Sequence, residues 1–128
     1  MKFQILYNTH INITDWEKVM SVRVEKNKGV WTIIHSRPES RNAMDPLSAD
    51  QLTDAFLEFN NSKDGKVAVF WGEGGAFCAG WDLKFASDLN KEDPLKALDI
   101  NLDENVLKDN NLLPRGPMGP SRLNLKKP

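Results

Sequence analysis

Residues 67–83, VAVFWGEGGAFCAGWDL, constrain the fold of this chain more than any other stretch, because an apolar run, a glycine-rich turn and a helix start succeed one another directly. Val67, Ala68, Val69, Phe70 and Trp71 are mostly β-branched or aromatic, the pattern of a strand covered on both faces, so a core strand is expected to end at Trp71. Gly72, Gly74 and Gly75 let the backbone turn without a Cβ penalty, and Gly80 permits a second close approach of main chain to a ligand. With a helix beginning near Trp81 or Asp82, the amides around Ala79 and Gly80 lie at its N-terminus. Unpaired N–H groups there favour negative charge, which is how half of an oxyanion hole is built. The glycines taken alone describe no more than a tight turn after a strand.

Upstream, Met20 to Glu25 and Val30 to His35 are two strand candidates separated by Lys26, Asn27, Lys28 and Gly29, which predicts a hairpin. Val22 and Val24 alternate with Arg23 and Glu25, whereas Val30 to Ile34 is more continuously apolar, so the second strand should lie deeper. Residues 36–45 are polar, contain Pro38 and read as a loop. Asp45 followed by Pro46 supplies an N-cap and a first-turn proline, and Leu52, Ala55, Phe56 and Phe59 then share one face, predicting a helix from Pro46 to Asn60 packed on the sheet. Hairpin, helix and buried strand together predict an α/β arrangement. Further on, the pattern suggests a short helix at Leu83 to Leu89, a longer one at Pro94 to Leu107, a Pro- and Gly-rich joint at Leu113 to Pro120, and a last helix over Ser121 to Leu125.

At 128 residues the chain has room for one core. A formal net charge of -1 argues for neither nucleic acid nor an acidic membrane surface as partner. A single cysteine, Cys78, makes no internal disulfide, which predicts an intracellular protein, cytoplasmic or mitochondrial, and no stretch approaches the ~20 apolar residues of a membrane span. Residues 1–20 carry no clear targeting signal.

Other chemistry-bearing residues have plainer readings. Cys78 sits among small apolar neighbours with no histidine close in sequence, and is expected to pack as a small hydrophobe. His10 and His35 lack partners at metal-ligand spacing, so no metal site is expected, and His35 should end a strand. Asp82, in the first turn of a helix, is expected to cap it. The GEGG turn matches neither a phosphate loop nor a dinucleotide fingerprint.

GEGGAFCAGWDL, after a hydrophobic strand and with SRPESRNAM some 30 residues upstream, resembles the crotonase family, also called the enoyl-CoA hydratase/isomerase superfamily. The resemblance runs from about Val22 through Pro128. It implies a crotonase-like α/β fold, the ClpP/crotonase spiral of ββα units, here truncated. Residues 1–20 would then be a divergent leader and 21–128 the N-terminal part of the domain. The absent C-terminal half would hold a second oxyanion glycine and the acid/base glutamates, so this chain would be inactive alone.

By the same resemblance the protein binds an acyl-CoA thioester, as in fatty acid metabolism, and stabilises its enolate, a lyase of enoyl-CoA hydratase type or an isomerase. Coenzyme A enters as part of the substrate and no separate cofactor is needed. The Ala79 backbone N–H is the implied oxyanion donor. Gly80, Trp81 and Asp82 shape the substrate pocket, and Ser40 and Arg41 lie along the coenzyme A arm, where many relatives carry apolar residues. Trp71 is expected in the core, and Trp81, at the variable position of the motif, is expected to narrow the acyl pocket. A full-length protein would be a homo-oligomer. The alternative is a non-catalytic coenzyme A-binding or protein-interaction remnant of the fold.

Overall fold

The computed structural model describes residues 20–88 and 116–128. The first nineteen residues of the expected leader, with His10, and the expected Pro94 to Leu107 helix lie outside the described residues.

Lys28 and Gly29 both have positive φ, 45° and 87°. Two such residues form a type I′ turn, whose twist matches that of the strands it joins. The turn connects β1 (Val22–Asn27) to β2 (Val30–His35) in an antiparallel pair with Asn27 opposite Val30. The expected hairpin is therefore present. β1 lies two residues later than the reading from Met20, because a two-residue loop leaves Lys26 and Asn27 free to join the ladder.

Helix α1 (Pro46–Asn61) starts as its sequence requires, with the Asp45 carboxylate accepting the Ser48 N–H at 2.8 Å and Pro46 in the first turn. Its buried face includes the four expected residues, Leu52, Ala55, Phe56 and Phe59, together with Ser48, Ala49 and Thr53. Through α1 the chain returns to β3 (Val67–Gly72), which pairs parallel with β2, giving the sheet order β1-β2-β3. Such a crossover is what joining two parallel strands demands. β2 is central and deepest, with Trp31, Ile33, Ile34 and His35 all buried. Between α1 and the sheet, Phe59 tilts against Trp31 at 5.7 Å and Phe56 meets Phe70 edge-on at 5.4 Å.

Two expectations are corrected. β3 is not covered on both faces: Ala68 and Phe70 pack against the core, while Val69 and Trp71 are 47% and 48% exposed. Trp71 is thus not a core residue. Helix α1, the C-terminal segment, Met44 and Phe77 pack on the face opposite Trp71, Phe77 meeting the Phe70 ring edge-on at 4.9 Å. Nor do residues 121–125 form a helix: a single 3-10 turn (Pro120–Arg122) ends at Leu123, whose backbone is extended. Leu123 and Leu125 pack on the core at strand-like spacing, and a helix would point them to opposite sides. The segment is then pinned by Lys127, whose ammonium donates to Ser62 O, Ser62 Oγ and Gly65 O, and by Pro128 O, which accepts the Ala68 N–H at 2.9 Å.

Candidate functional site

The C-terminal ends of β2 and β3 lead into two loops that close on each other, residues 36–45 and 73–82. Gly72 ends β3 where no larger residue fits, since a Cβ there would lie 2.5 Å from Phe77 O and 2.7 Å from Ala76 O. The glycine turn is therefore folded tightly back against its own strand. Gly80 is a different case: open space surrounds the position of its Cβ, but φ is +92°. Glycine is selected there by backbone conformation.

The two loops are joined by a short parallel bridge between Met44 and Trp81. Met44 N–H donates to Gly80 O at 2.7 Å, and Asp82 N–H donates to Met44 O at 2.8 Å. Side chains add to the bridge. Arg37 donates through Nη1 to Ala43 O and through Nη2 to Asp82 Oδ2 at 2.8 Å, with Asp45 Oδ2 3.4 Å away. The other Asp82 oxygen accepts the Lys84 N–H at 2.9 Å and the Phe85 N–H at 3.4 Å, at the start of helix α2 (Leu83–Asp88). Asp82 therefore caps α2, as its place in the sequence suggests, and pairs with Arg37 as well. The hydrogen bond from Arg37, and to a lesser degree the two backbone N–H groups, hold the Asp82 carboxyl below the usual carboxylate range against the opposing effect of burial.

Asn42 is fully buried in left-handed backbone at φ 56°. Asparagine is among the few residues that tolerate this conformation. Its amide nitrogen donates to Glu73 O and Ala76 O at 2.8 and 2.7 Å, and its oxygen accepts the Arg37 N–H at 2.6 Å. Glu73 is gripped by both Nη atoms of Arg23 and by the Ser36 hydroxyl. These hydrogen bonds, Arg23 first, draw its carboxyl down to about 2.

Around Ala79 the peptide groups differ. The Gly80 N–H is directed at Cys78 Sγ, 3.4 Å away. The Ala79 N–H finds no acceptor among the described residues, and Ala79 is exposed. Of the two amides that the sequence brings forward, Ala79 thus presents the open donor. Cys78 is half-buried with its sulfur turned to the backbone of its own loop, consistent with packing rather than nucleophilic use. Trp81 is half-buried, with its ring centre 6.1 Å from that of Phe85 and the two rings tilted by 36°.

The other anticipated residues lie apart. Ser40 is occupied within the 3-10 turn Pro38–Ser40, where its hydroxyl donates to Arg37 O at 3.2 Å, and Arg41 closes that turn in left-handed backbone at φ 50° with its side chain exposed. His35 ends β2 as expected. It is fully buried with neither ring nitrogen hydrogen-bonded. Burial, and secondarily the charge of Arg37, keep its pKa below the ordinary 6.5. Among the described residues no group of three His, Cys, Asp or Glu side chains is placed to hold a metal ion, and no helix is long and apolar enough to cross a membrane.

The sequence reading missed Arg37, Asn42 and Glu73, the residues that knit the two loops together. Arg37 and Asn42 stand in the same SRPESRNAM segment as Ser40 and Arg41. An asparagine directly after a polar turn was a usable sign of left-handed backbone.

Residues 25–111 match the enoyl-CoA hydratase/isomerase family. The mitochondrial 3-hydroxyisobutyryl-CoA hydrolase of Dictyostelium discoideum is 36% identical over 106 residues, 76% of this chain and 27% of that protein. The hydroxycinnamoyl-CoA hydratase-lyase of Pseudomonas fluorescens is 38% identical over 64 residues, covering 50% of this chain and 23% of the relative. Among solved structures, an enoyl-CoA hydratase/isomerase from Marinobacter aquaeolei superposes with a TM-score of 0.53 at 33% identity, over 57% of this chain and 28% of that one. The chain spans about a quarter of the length of the curated relatives it matches.

Proposed function

The chain belongs to the enoyl-CoA hydratase/isomerase family and has its crotonase-like α/β fold, and on that premise we propose that the loop of residues 73–82 receives the carbonyl of an acyl-CoA thioester. The observation that carries this reading is the open Ala79 N–H, held on a loop whose neighbours are fixed by the Met44 bridge. When a proton is taken from the carbon beside a thioester, or water adds to a conjugated double bond, charge builds on the carbonyl oxygen. A preorganised peptide N–H stabilises that charge more than it stabilises the neutral carbonyl, which lowers the barrier. In this proposal Ala79 supplies one such donor. Small residues at 79 and 80 let the thioester approach, and Trp81 with Phe85 walls the acyl group. Ser40 and Arg41 face the coenzyme A arm through their loop. Asp82 shapes the pocket by capping α2 and pairing with Arg37.

The reading is supported by relatives whose names describe hydratases, a dehydratase and a hydrolase, all acting on coenzyme A thioesters. Reactions this diverse share the carbonyl and differ elsewhere, so the proposal is for thioester polarisation, with hydration of an enoyl-CoA as the first reaction to assay.

The test compares butyryl-CoA with S-butyl-CoA, which differ only in the carbonyl oxygen, in the full protein. The thioester is expected to bind more tightly than the thioether, with its carbonyl stretch, tracked by a carbon-13 label, moved to lower frequency. Ala79→Pro, which removes the N–H, should abolish the preference while S-butyl-CoA still binds. Equal affinities and an unmoved carbonyl in the unaltered protein would overturn the reading.

A further inference from the structure

We infer that Arg37 is a positioning residue for the thioester site: its guanidinium, spanning Ala43 O and the Asp82 carboxylate, sets the direction in which the Ala79 N–H points. The inference rests on the proposed role of Ala79, and concerns a side chain one loop away.

Residues 79 and 80 have little to hold them in place by packing. Ala79 is exposed, and the position of a Gly80 Cβ is open. Their conformation depends on the bridge to Met44, in which Gly80 O accepts the Met44 N–H and Asp82 N–H donates to Met44 O. Both sides of that bridge run to Arg37. On one side, Arg37 holds the carbonyl of Ala43, the residue before Met44, and on the other it holds the side chain of Asp82, two residues after Gly80. One planar group thus fixes the separation of the two loops at the step next to the donor. The Arg37 and Asp82 side chains are only 18% and 12% exposed, so solvent screening weakens this pair less than a surface pair.

Arg37 is itself held rigidly. Its N–H is bound by the buried Asn42 and its carbonyl accepts from Ser40 N–H and Asn42 N–H, at 3.1 and 2.9 Å. The fork of an arginine is what allows two acceptors in different directions to be held at once. A lysine, a single point charge on a flexible stem, holds one or the other. A displaced donor costs heavily in such a site, since an error of about 1 Å in positioning is worth on the order of a hundredfold in rate.

The experiment uses the same pair of probes in the full protein. Arg37→Ala and Arg37→Lys should each lower the preference for butyryl-CoA over S-butyl-CoA by about tenfold, and should return the labelled carbonyl at least half-way to its frequency in water. S-butyl-CoA affinity, which reports the rest of the site, should stay within about twofold. Where Arg37→Ala fails to fold, Arg37→Lys carries the test, because it keeps a positive charge beside Asp82 and loses the fork that holds two acceptors at once. A normal preference and a fully shifted carbonyl in the folded Arg37 variants would overturn this inference while leaving the Ala79 reading intact. An unmoved carbonyl in the unaltered protein would instead remove the Ala79 reading itself. Equal loss of thioester and thioether binding would assign Arg37 a purely structural role and also overturn the inference.

Discussion

Trp31, Ile33 and Phe70 line the face of the sheet toward α1, and Val30, Val69 and Trp71 line the other together with Arg23, Glu25 and Thr32, so large apolar side chains stand on both faces of the same three strands. The first is packed with aromatic rings from α1 and with Leu123 and Leu125 of the C-terminal segment. The second leaves Val69 and Trp71 about half exposed, and only Ile34, between Arg23 and Trp71 in register, is buried there. The contrast separates two properties that hydropathy merges: how apolar a strand is, and whether an element is present to cover it. The site loops grow from the strand ends, so their support comes from the packed face and from polar ties, to which the open face adds the grip of Arg23 on Glu73.

The sharpest way to break this contrast is to empty the packed face. Phe59 is fully buried against Trp31, with the Lys127 ammonium 4.4 Å from its ring centre. Phe59→Ala is expected to cost about 3–5 kcal/mol, the range for deleting a buried aromatic ring, read as a fall in the urea midpoint. A loss below about 1 kcal/mol would mean that α1 does not hold the sheet as the packing implies.

Next in size is the polar tie between the loops. Asn42→Ala leaves the half-buried carbonyls of Glu73 and Ala76 without the donor they share, at an expected cost of about 2–3 kcal/mol. Asn42→Gly removes the same amide but suits the positive φ, and should recover up to about 1 kcal/mol relative to alanine. Equal stability of the two variants would show that the hydrogen bonds, and not the backbone conformation, account for the whole loss.

The hairpin and α1 were legible because each is specified by neighbours in sequence: Lys28-Gly29 for the turn, Asp45-Pro46 for the helix start, and a four-residue apolar face for its packing side. Asp82 as a cap was legible for the same reason. The Arg37 to Asp82 and Asn42 to Glu73 links were not, since they join residues 45 and 31 positions apart and no local rule selects the partner. β3 misled for a third reason: a continuous apolar run is compatible with burial on both faces, yet coverage is a property of the rest of the fold. The same limit applied to residues 121–125, where leucines two apart fit the core and a helix does not.

A smaller effect separates the packed side of the site from its exposed ties by pH. His35 is buried on the α1 side, with the charges of Arg37, Asp45 and Glu39 acting on it, and its pKa is lowered chiefly by burial. Between that lowered value and the ordinary 6.5, the unfolded chain binds a proton that the folded chain does not. Stability from this group is therefore complete above 6.5 and is lost as pH falls below it. Glu73 acts later: its carboxyl, drawn from 4.5 to about 2, contributes stability above 4.5 that disappears as pH falls toward 2. The melting temperature should thus begin to decline as pH falls below 6.5, before the Glu73 contribution starts to change below 4.5. His35→Leu should flatten that first decline and leave the second. An unchanged first decline in the variant would remove His35 as its source.

The smallest expected effect tests the open face. Trp71→Ala removes the largest side chain of β3, and on a face covered as the sequence suggested it would rival Phe59→Ala. With Trp71 half exposed, it should instead cost about 1 kcal/mol or less. Val69→Thr, at a neighbouring position of the same face, should change stability by no more than about 0.5 kcal/mol, because the hydroxyl meets water and threonine suits a strand as well as valine does. Measured together by urea unfolding, the two variants weigh the open face against the packed one. Small losses in both place the sheet's stability on the α1 side. A loss at Trp71 of the size expected at Phe59 would mean that the second face is covered in solution by something that packs as closely as α1.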